Sequence, residues 1–285
     1  MAADIPGLAP RLEASDIDDT QDSGWPAGEI AHMMNISRFA DELDPPAQEL
    51  LKTITCFIIA MPKFDEEGNK VKPPLMDSEF VSALLLAGMK VKVLENPCRP
   101  CTKHNSSGQP YVGDVGYKFM FTTRAVWHKM QASPSSLGCL ISHLNCWGES
   151  TNNDPRAWCM VMEEDVVPGM NSAHFFASLL NMMTTQRFRE HSFELIHLVH
   201  DTENHHAVSR IHKEPVLVES KTMQLVRAPR EVHPHTKKMK HVNVGQGTRA
   251  YLIHGKLMAE LLDPNYKYHT WIDMEVALGC LQNIA

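Results

Sequence analysis

Residues 157–165 read Ala-Trp-Cys-Met-Val-Met-Glu163-Glu164-Asp165, an apolar run that stops in three consecutive carboxylates. The apolar part predicts a buried strand. Like charges in a row repel one another and are costly beside a core, so a cation or water must offset them. In open α/β sheets, ligands collect at the carboxyl ends of the strands. In extended backbone Glu163 and Asp165 point to one side and Glu164 to the other. Two carboxylates on one face suit Mg²⁺ or Mn²⁺, which bind one or two carboxylates together with substrate phosphates. The plainer account is a solvated acidic turn after a strand.

The elements around this stretch set the fold class. Thr53–Ala60 (TITCFIIA) is a continuous apolar run, the pattern of a strand covered on both faces. The segment 61–74 reads as a loop. Met76–Gly88 has helical spacing and ends on a glycine suited to a helix C-cap. Residues 89–95 (MKVKVLE) form a second strand, so 53–95 is a βαβ unit with parallel strands. Ser133-Pro134 opens a helix, on which Leu137, Leu140, Ile141, Leu144 and Trp147 share one stripe. Ser142 and His143 lie off its centre. Further helices are expected after Asn171, at 255–262 and at 271–281, with strands at 193–199 and 249–253 and a hairpin over 215–227. The alternation predicts an α/β fold, a mixed sheet flanked by helices, in a single domain.

Composition bounds the function. The chain has 285 residues and a formal net charge of −7. Residues 1–50 carry eleven acidic and two basic side chains. This acidic segment, poor in aromatic and β-branched residues, reads as largely disordered, and 51–285 as the folded domain. No strongly basic region suggests nucleic acid, and no apolar run reaches the ~18 residues of a membrane span. The amino terminus lacks the basic start and apolar stretch of a signal peptide, which places the expectation in the cytosol. Most of the seven cysteines sit in apolar runs, as expected of small hydrophobes in a reducing compartment.

Several landmarks together resemble glycosyltransferase family 25, which includes lipooligosaccharide and collagen-type galactosyltransferases. Gly138-Cys-Leu-Ile-Ser142-His143-Leu-Asn-Cys-Trp147 is similar to the family's glycine-cysteine-serine-histidine-tryptophan helix. An apolar strand ending in acidic residues follows it. Gly247-Thr248-Arg-Ala-Tyr-Leu-Ile-His254 onward, and Trp271-Ile-Asp273-Met-Glu275, resemble two later segments. The resemblance implies a GT-A-like, Rossmann-type sheet and transfer of a sugar, galactose or glucose first, from a UDP-sugar to a hydroxyl on a glycan, a lipid-linked acceptor or a protein. It implies Mn²⁺ or Mg²⁺ held by Glu163 and Asp165. His254, standing where the family has serine, is a candidate third ligand. Asp273, then Glu275, are candidates for the base that deprotonates the acceptor; a helix N-terminal carboxylate is the other reading of Asp273. Ser142, His143, Gly247 and Thr248 are candidates for shaping the donor site. Local hydrogen bonding is the alternative for Ser142 and His143, and a turn for the Gly-Thr pair. Trp147 reads as core.

The first strand departs from the family pattern. It runs into Ala60-Met61-Pro62-Lys63, without the arginine pair that meets the nucleotide. A catalytically inactive relative that binds nucleotide or glycan is therefore the alternative function. Cys98-Arg-Pro-Cys101 is similar to a dithiol redox motif, but no helix follows to lower a thiol pKa. With His104 it offers an incomplete zinc set. The five histidines over 197–212 and the basic stretch 221–240 read as solvated loops.

Overall fold

The computed structural model describes residues 38–61, 63–95, 134–169, 171–198, 216–220, 223–226 and 249–263, plus the backbone of short strands at 102–104, 110–112, 120–121, 230–232, 239–241 and 267–268. A five-stranded sheet is its centre. The strands are β1 (Thr55–Ala60), β2 (Lys90–Glu95), β3 (Trp158–Glu163), β4 (Leu195–His197) and β5 (Ala250–His254). The spatial order is β2-β1-β3-β5-β4. Strands β1, β2 and β3 run parallel, whereas β5 is antiparallel to both β3 and β4.

Side-chain alternation along these strands sorts the core into two layers. On one side of the sheet Cys56, Ile58, Met160, Met162 and Leu252 belong to one buried cluster. Helices α1 (Pro45–Thr53), α2 (Glu79–Leu86), α4 (Ser172–Met183) and α5 (Gln186–Glu190) cover it, with Leu51, Val81, Leu84, Phe176, Leu180 and Phe188. On the other side Phe57, Ile59, Cys159, Val161, Tyr251 and Ile253 meet α3 (Pro134–Asn153) and α6 (Gly255–Leu261) through Leu140, Ile141, Leu144, Trp147, Leu257 and Met258. The continuous apolar runs in β1 and β3 follow from this: both faces of each strand are covered. The fold is α/β, with a Rossmann-like mixed sheet between helical layers in a single domain, as the sequence predicts.

The path of the chain sets a topological switch point. From β1 it passes through α2, on one face, to β2 at the near edge. It then returns through α3, on the opposite face, to β3 on the other side of β1. Strand order therefore reverses between β1 and β3, and the carboxyl ends of these neighbours form the place where such sheets bind ligands. Ile59 is paired with Glu163 across that boundary.

Local chemistry sets the element ends. Ser78 caps α2, its hydroxyl accepting the Val81 N–H at 3.2 Å. Gly88 follows that helix with φ +87°, a conformation that favours glycine. The predicted loop after β1 contains a small antiparallel pairing of Lys63–Phe64 with Lys70–Val71, turned at Gly68. Packing also begins ahead of residue 50, where the sequence reading places the domain boundary. Phe39, Leu43 and Ala47 are buried in the same layer as Leu51. Phe39 lies in a short helical turn at 38–41, Leu43 in the bend after it and Ala47 in α1, so the packed residues span a break in the helix. The predicted helix at 271–281 lies outside the described residues, as do 1–37. Among the described residues no helix is long and apolar enough to cross a membrane.

Gly255 marks the closest backbone approach. A Cβ there would stand 2.0 Å from the Pro155 carbonyl oxygen, whereas one at Gly148, inside α3, would meet nothing within 4 Å. Gly255→Ala should therefore lower stability by about 2–3 kcal/mol, and Gly148→Ala should be neutral or raise it by up to ~1 kcal/mol. Urea denaturation of both variants checks this; equal effects would contradict the close approach.

Candidate active site

Strand parity explains why Glu163 meets α3. It continues the set Cys159, Val161 that faces this helix, and it is the last residue of β3. On α3, Cys139 and His143 are four residues apart and share one face. The Cys139 Sγ lies 3.9 Å from Glu163 Oε1, and His143 Nε2 lies 3.5 Å from the same oxygen. Glu163 is partly exposed, Cys139 half-buried and His143 fully buried.

Two aromatic residues fix the His143 ring. Its Nδ1 shares a 2.6 Å hydrogen bond with the Tyr251 hydroxyl, which also accepts the Trp147 indole N–H at 3.1 Å. All three side chains have no solvent exposure. Trp147 is one turn beyond His143 on α3, and Tyr251 has the β5 parity that faces this helix. Burial holds the Tyr251 phenol well above its usual pKa. It therefore stays a neutral hydroxyl, able to donate as well as accept. Ser142 is buried too and donates to the Gly138 carbonyl at 2.9 Å. That is the local hydrogen bond expected of a serine inside a helix.

The three carboxylates have three different surroundings. Val166 N–H donates to the Glu163 carbonyl at 3.0 Å, so the chain turns directly after the strand. The extended alternation that would align Asp165 with Glu163 therefore stops at Glu163. Glu164 accepts the Met61 backbone N–H at 3.3 Å and pairs with Lys63 Nζ at 3.0 Å, tying the end of β3 to the end of β1. Asp165 is exposed, with Arg249 Nε 3.9 Å away. Positive charge offsets two of the acids, and a buried imidazole and a thiol stand beside the third.

His254 is not at this end of the sheet. It pairs in register with Trp158, the first residue of β3. At the rise of a β-strand that places it roughly 16 Å from Glu163. The expectation of a third ligand beside Glu163 and Asp165 is corrected accordingly: antiparallel pairing carries position 254 to the opposite end. There its Nδ1 accepts the Lys256 N–H at 3.2 Å and caps α6. Its ring sits edge-on to Trp158 at 5.2 Å. Burial, with Lys256 adding to it, lowers its pKa, whereas Glu194 acts in the other direction. Gly247, Thr248, Asp273 and Glu275 lie outside the described residues, as do Cys98 and Cys101.

Three residues at the strand end are absent from the sequence-based set. Cys139 reads as one more small hydrophobe; its signal is the four-residue spacing to His143. Tyr251 is legible only once β5 is paired with β3. Lys63 is the cation that follows β1 where an arginine pair is expected.

Comparison with known families agrees with this arrangement. The profile of glycosyltransferase family 25 (LPS biosynthesis protein) matches residues 116–276. The match spans more than half of the chain and contains α3, β3 and β5, and the chain belongs to this family. Neither the curated proteins nor the solved structures give a significant match.

Removing the shared hydroxyl tests the buried network. Tyr251→Phe keeps the ring but leaves the Trp147 N–H and the His143 Nδ1 without a partner. A loss of about 2–4 kcal/mol is expected, measured by urea denaturation. A change below ~0.5 kcal/mol would show that the hydroxyl does not hold these groups.

Proposed function

We propose that the chain transfers a hexose, galactose or glucose first, from a UDP-sugar to a hydroxyl of a glycan, lipid-linked or protein acceptor, with a divalent cation at the end of β3. Family membership supports sugar transfer as the activity. The observation that carries the placement is the acidic end of β3 beside the end of β1, where strand order reverses. Glu163 and Asp165 are the proposed oxygen ligands. Carboxylate oxygens, one of them well exposed, fit Mn²⁺ or Mg²⁺, hard cations that retain several waters or phosphate oxygens. When bound, such an ion neutralises charge that develops on the departing nucleotide diphosphate.

The chain's own side chains do the rest. His143, held by the Tyr251 hydroxyl, stands behind the Glu163 carboxylate with its Nε2 3.5 Å away. Glu164, engaged with Lys63 and the Met61 N–H, locks the ends of β1 and β3 together. Lys63 also brings positive charge to the mouth where a diphosphate would lie. Asp273 is the proposed base for the acceptor hydroxyl, with Glu275 second.

Binding of nucleotide or glycan without transfer is the second reading. It is favoured by the missing arginine pair and by the engagement of Lys63 with Glu164.

One assay separates the two. UDP release from UDP-galactose and UDP-glucose is followed with Mn²⁺, with Mg²⁺ and with chelator, in the wild type and in Glu163→Gln. Transfer predicts metal-dependent turnover reduced about 100-fold or more by the substitution. Metal-dependent binding of the nucleotide sugar with no UDP release would support the second reading. Full activity in Glu163→Gln would overturn the assignment of the site.

A further inference from the structure

Cys139 and His143 bring a sulfur and a nitrogen donor to Glu163, donors that an oxygen-ligated cation does not use. Each contributes one donor atom (a thiol sulfur, a ring nitrogen and a carboxylate oxygen), and the three atoms lie within 4.8 Å of one another. The two separations to Glu163 Oε1 are 3.5 Å from His143 and 3.9 Å from Cys139. Around a tetrahedral zinc, bonded at about 2.0–2.3 Å, donor atoms stand roughly 3.3–3.8 Å apart. Small side-chain rotations would close this triangle on an ion.

The His143 ring gives an independent indication. It is fully buried, and its Nε2 has no hydrogen-bond partner among the described residues although it faces the thiol and the carboxylate. Buried polar atoms are nearly always satisfied. The opposite nitrogen, Nδ1, is gripped by the Tyr251 hydroxyl. An imidazole anchored through one nitrogen, with the other facing further donors, is the usual arrangement of a metal-binding histidine.

We propose that Cys139, His143 and Glu163 bind a thiophilic divalent transition metal, of which Zn²⁺ is the best fit. The sulfur discriminates against Mg²⁺ and Mn²⁺, which prefer oxygen. On binding, the thiol proton passes to solvent and sulfur bonds as thiolate. The ring uses its Nε2 lone pair and carries its proton on Nδ1, directed at the Tyr251 oxygen. Three protein donors leave one tetrahedral position, on the side where Cys139 and Glu163 reach solvent. Water or a substrate oxygen completes the sphere there. The other described cysteines do not compete: Cys56, Cys146 and Cys159 are buried, and burial raises their thiol pKa values, that of Cys159 up to about 12.

The test needs no transfer assay, so its outcome is separate from that of the proposed activity. Full-length protein carrying Cys98→Ser and Cys101→Ser is stripped with chelator and titrated with Co²⁺. One equivalent should produce thiolate-to-cobalt charge-transfer absorption that Zn²⁺ abolishes. Cys139→Ser in that background should eliminate the band, and Glu163→Gln should weaken Co²⁺ binding at least tenfold. In the unmodified chain, Zn²⁺ should slow alkylation of Cys139 by iodoacetamide at least tenfold, read by peptide mass spectrometry, and Mg²⁺ should not. A charge-transfer band that survives Cys139→Ser, or a Cys139 alkylation rate indifferent to Zn²⁺, would overturn the proposal.

Discussion

The hydroxyl of Tyr251 is the interaction on which the candidate site depends. A buried imidazole has to be oriented by something, and beside a carboxylate its orientation decides what that carboxylate faces. Here one oxygen receives the Trp147 N–H and bonds His143 Nδ1, joining α3 to β5 across the sheet face. The ring can then present only Nε2 to Glu163. Polar groups sealed in a low-dielectric interior are costly when unpaired and strongly orienting when paired. The network thus provides both cohesion for the layer and aim for the site.

The two-residue period of the strands decides which side chains meet. It puts Cys159, Val161 and Glu163 on the α3 face and, through antiparallel pairing, Tyr251 beside them. The same period sends Glu164 away from α3, toward Lys63 and the end of β1. A one-residue slip in the register of β3 would exchange the faces of its side chains. The acidic run is therefore not three equivalent charges. One acid faces the buried imidazole, one clamps two strand ends together, and one stands in solvent near an arginine. This division resolves the cost of placing them in sequence.

Much of the fold is legible in the sequence because its cues are local. The apolar runs of β1 and β3, the cap at Ser78, the glycine at 88 and the Pro134 helix start each depend on a few neighbouring residues. The site is less legible because its contacts are long-range. Cys139 and His143 announce a shared helix face, but nothing in their segment states that Glu163 arrives beside them. His254 shows the reverse problem. Its position in a family-like segment suggests the acidic cluster, whereas the antiparallel register takes it to the far end of β3. Extended backbone was likewise a poor guide beyond Glu163, where a turn begins immediately. The apolar residues Phe39, Leu43 and Ala47 were present in the sequence but masked by the surrounding acids.

Sugar transfer at the meeting of β1 and β3 is the central claim, and the location of bound donor tests it most directly. A crystal structure with UDP and Mn²⁺ should show the cation bonded to Glu163 at the carboxyl end of β3 and the diphosphate over the ends of β1 and β3. A nucleotide bound at the opposite end of the sheet, beside Trp158 and His254, would contradict the account.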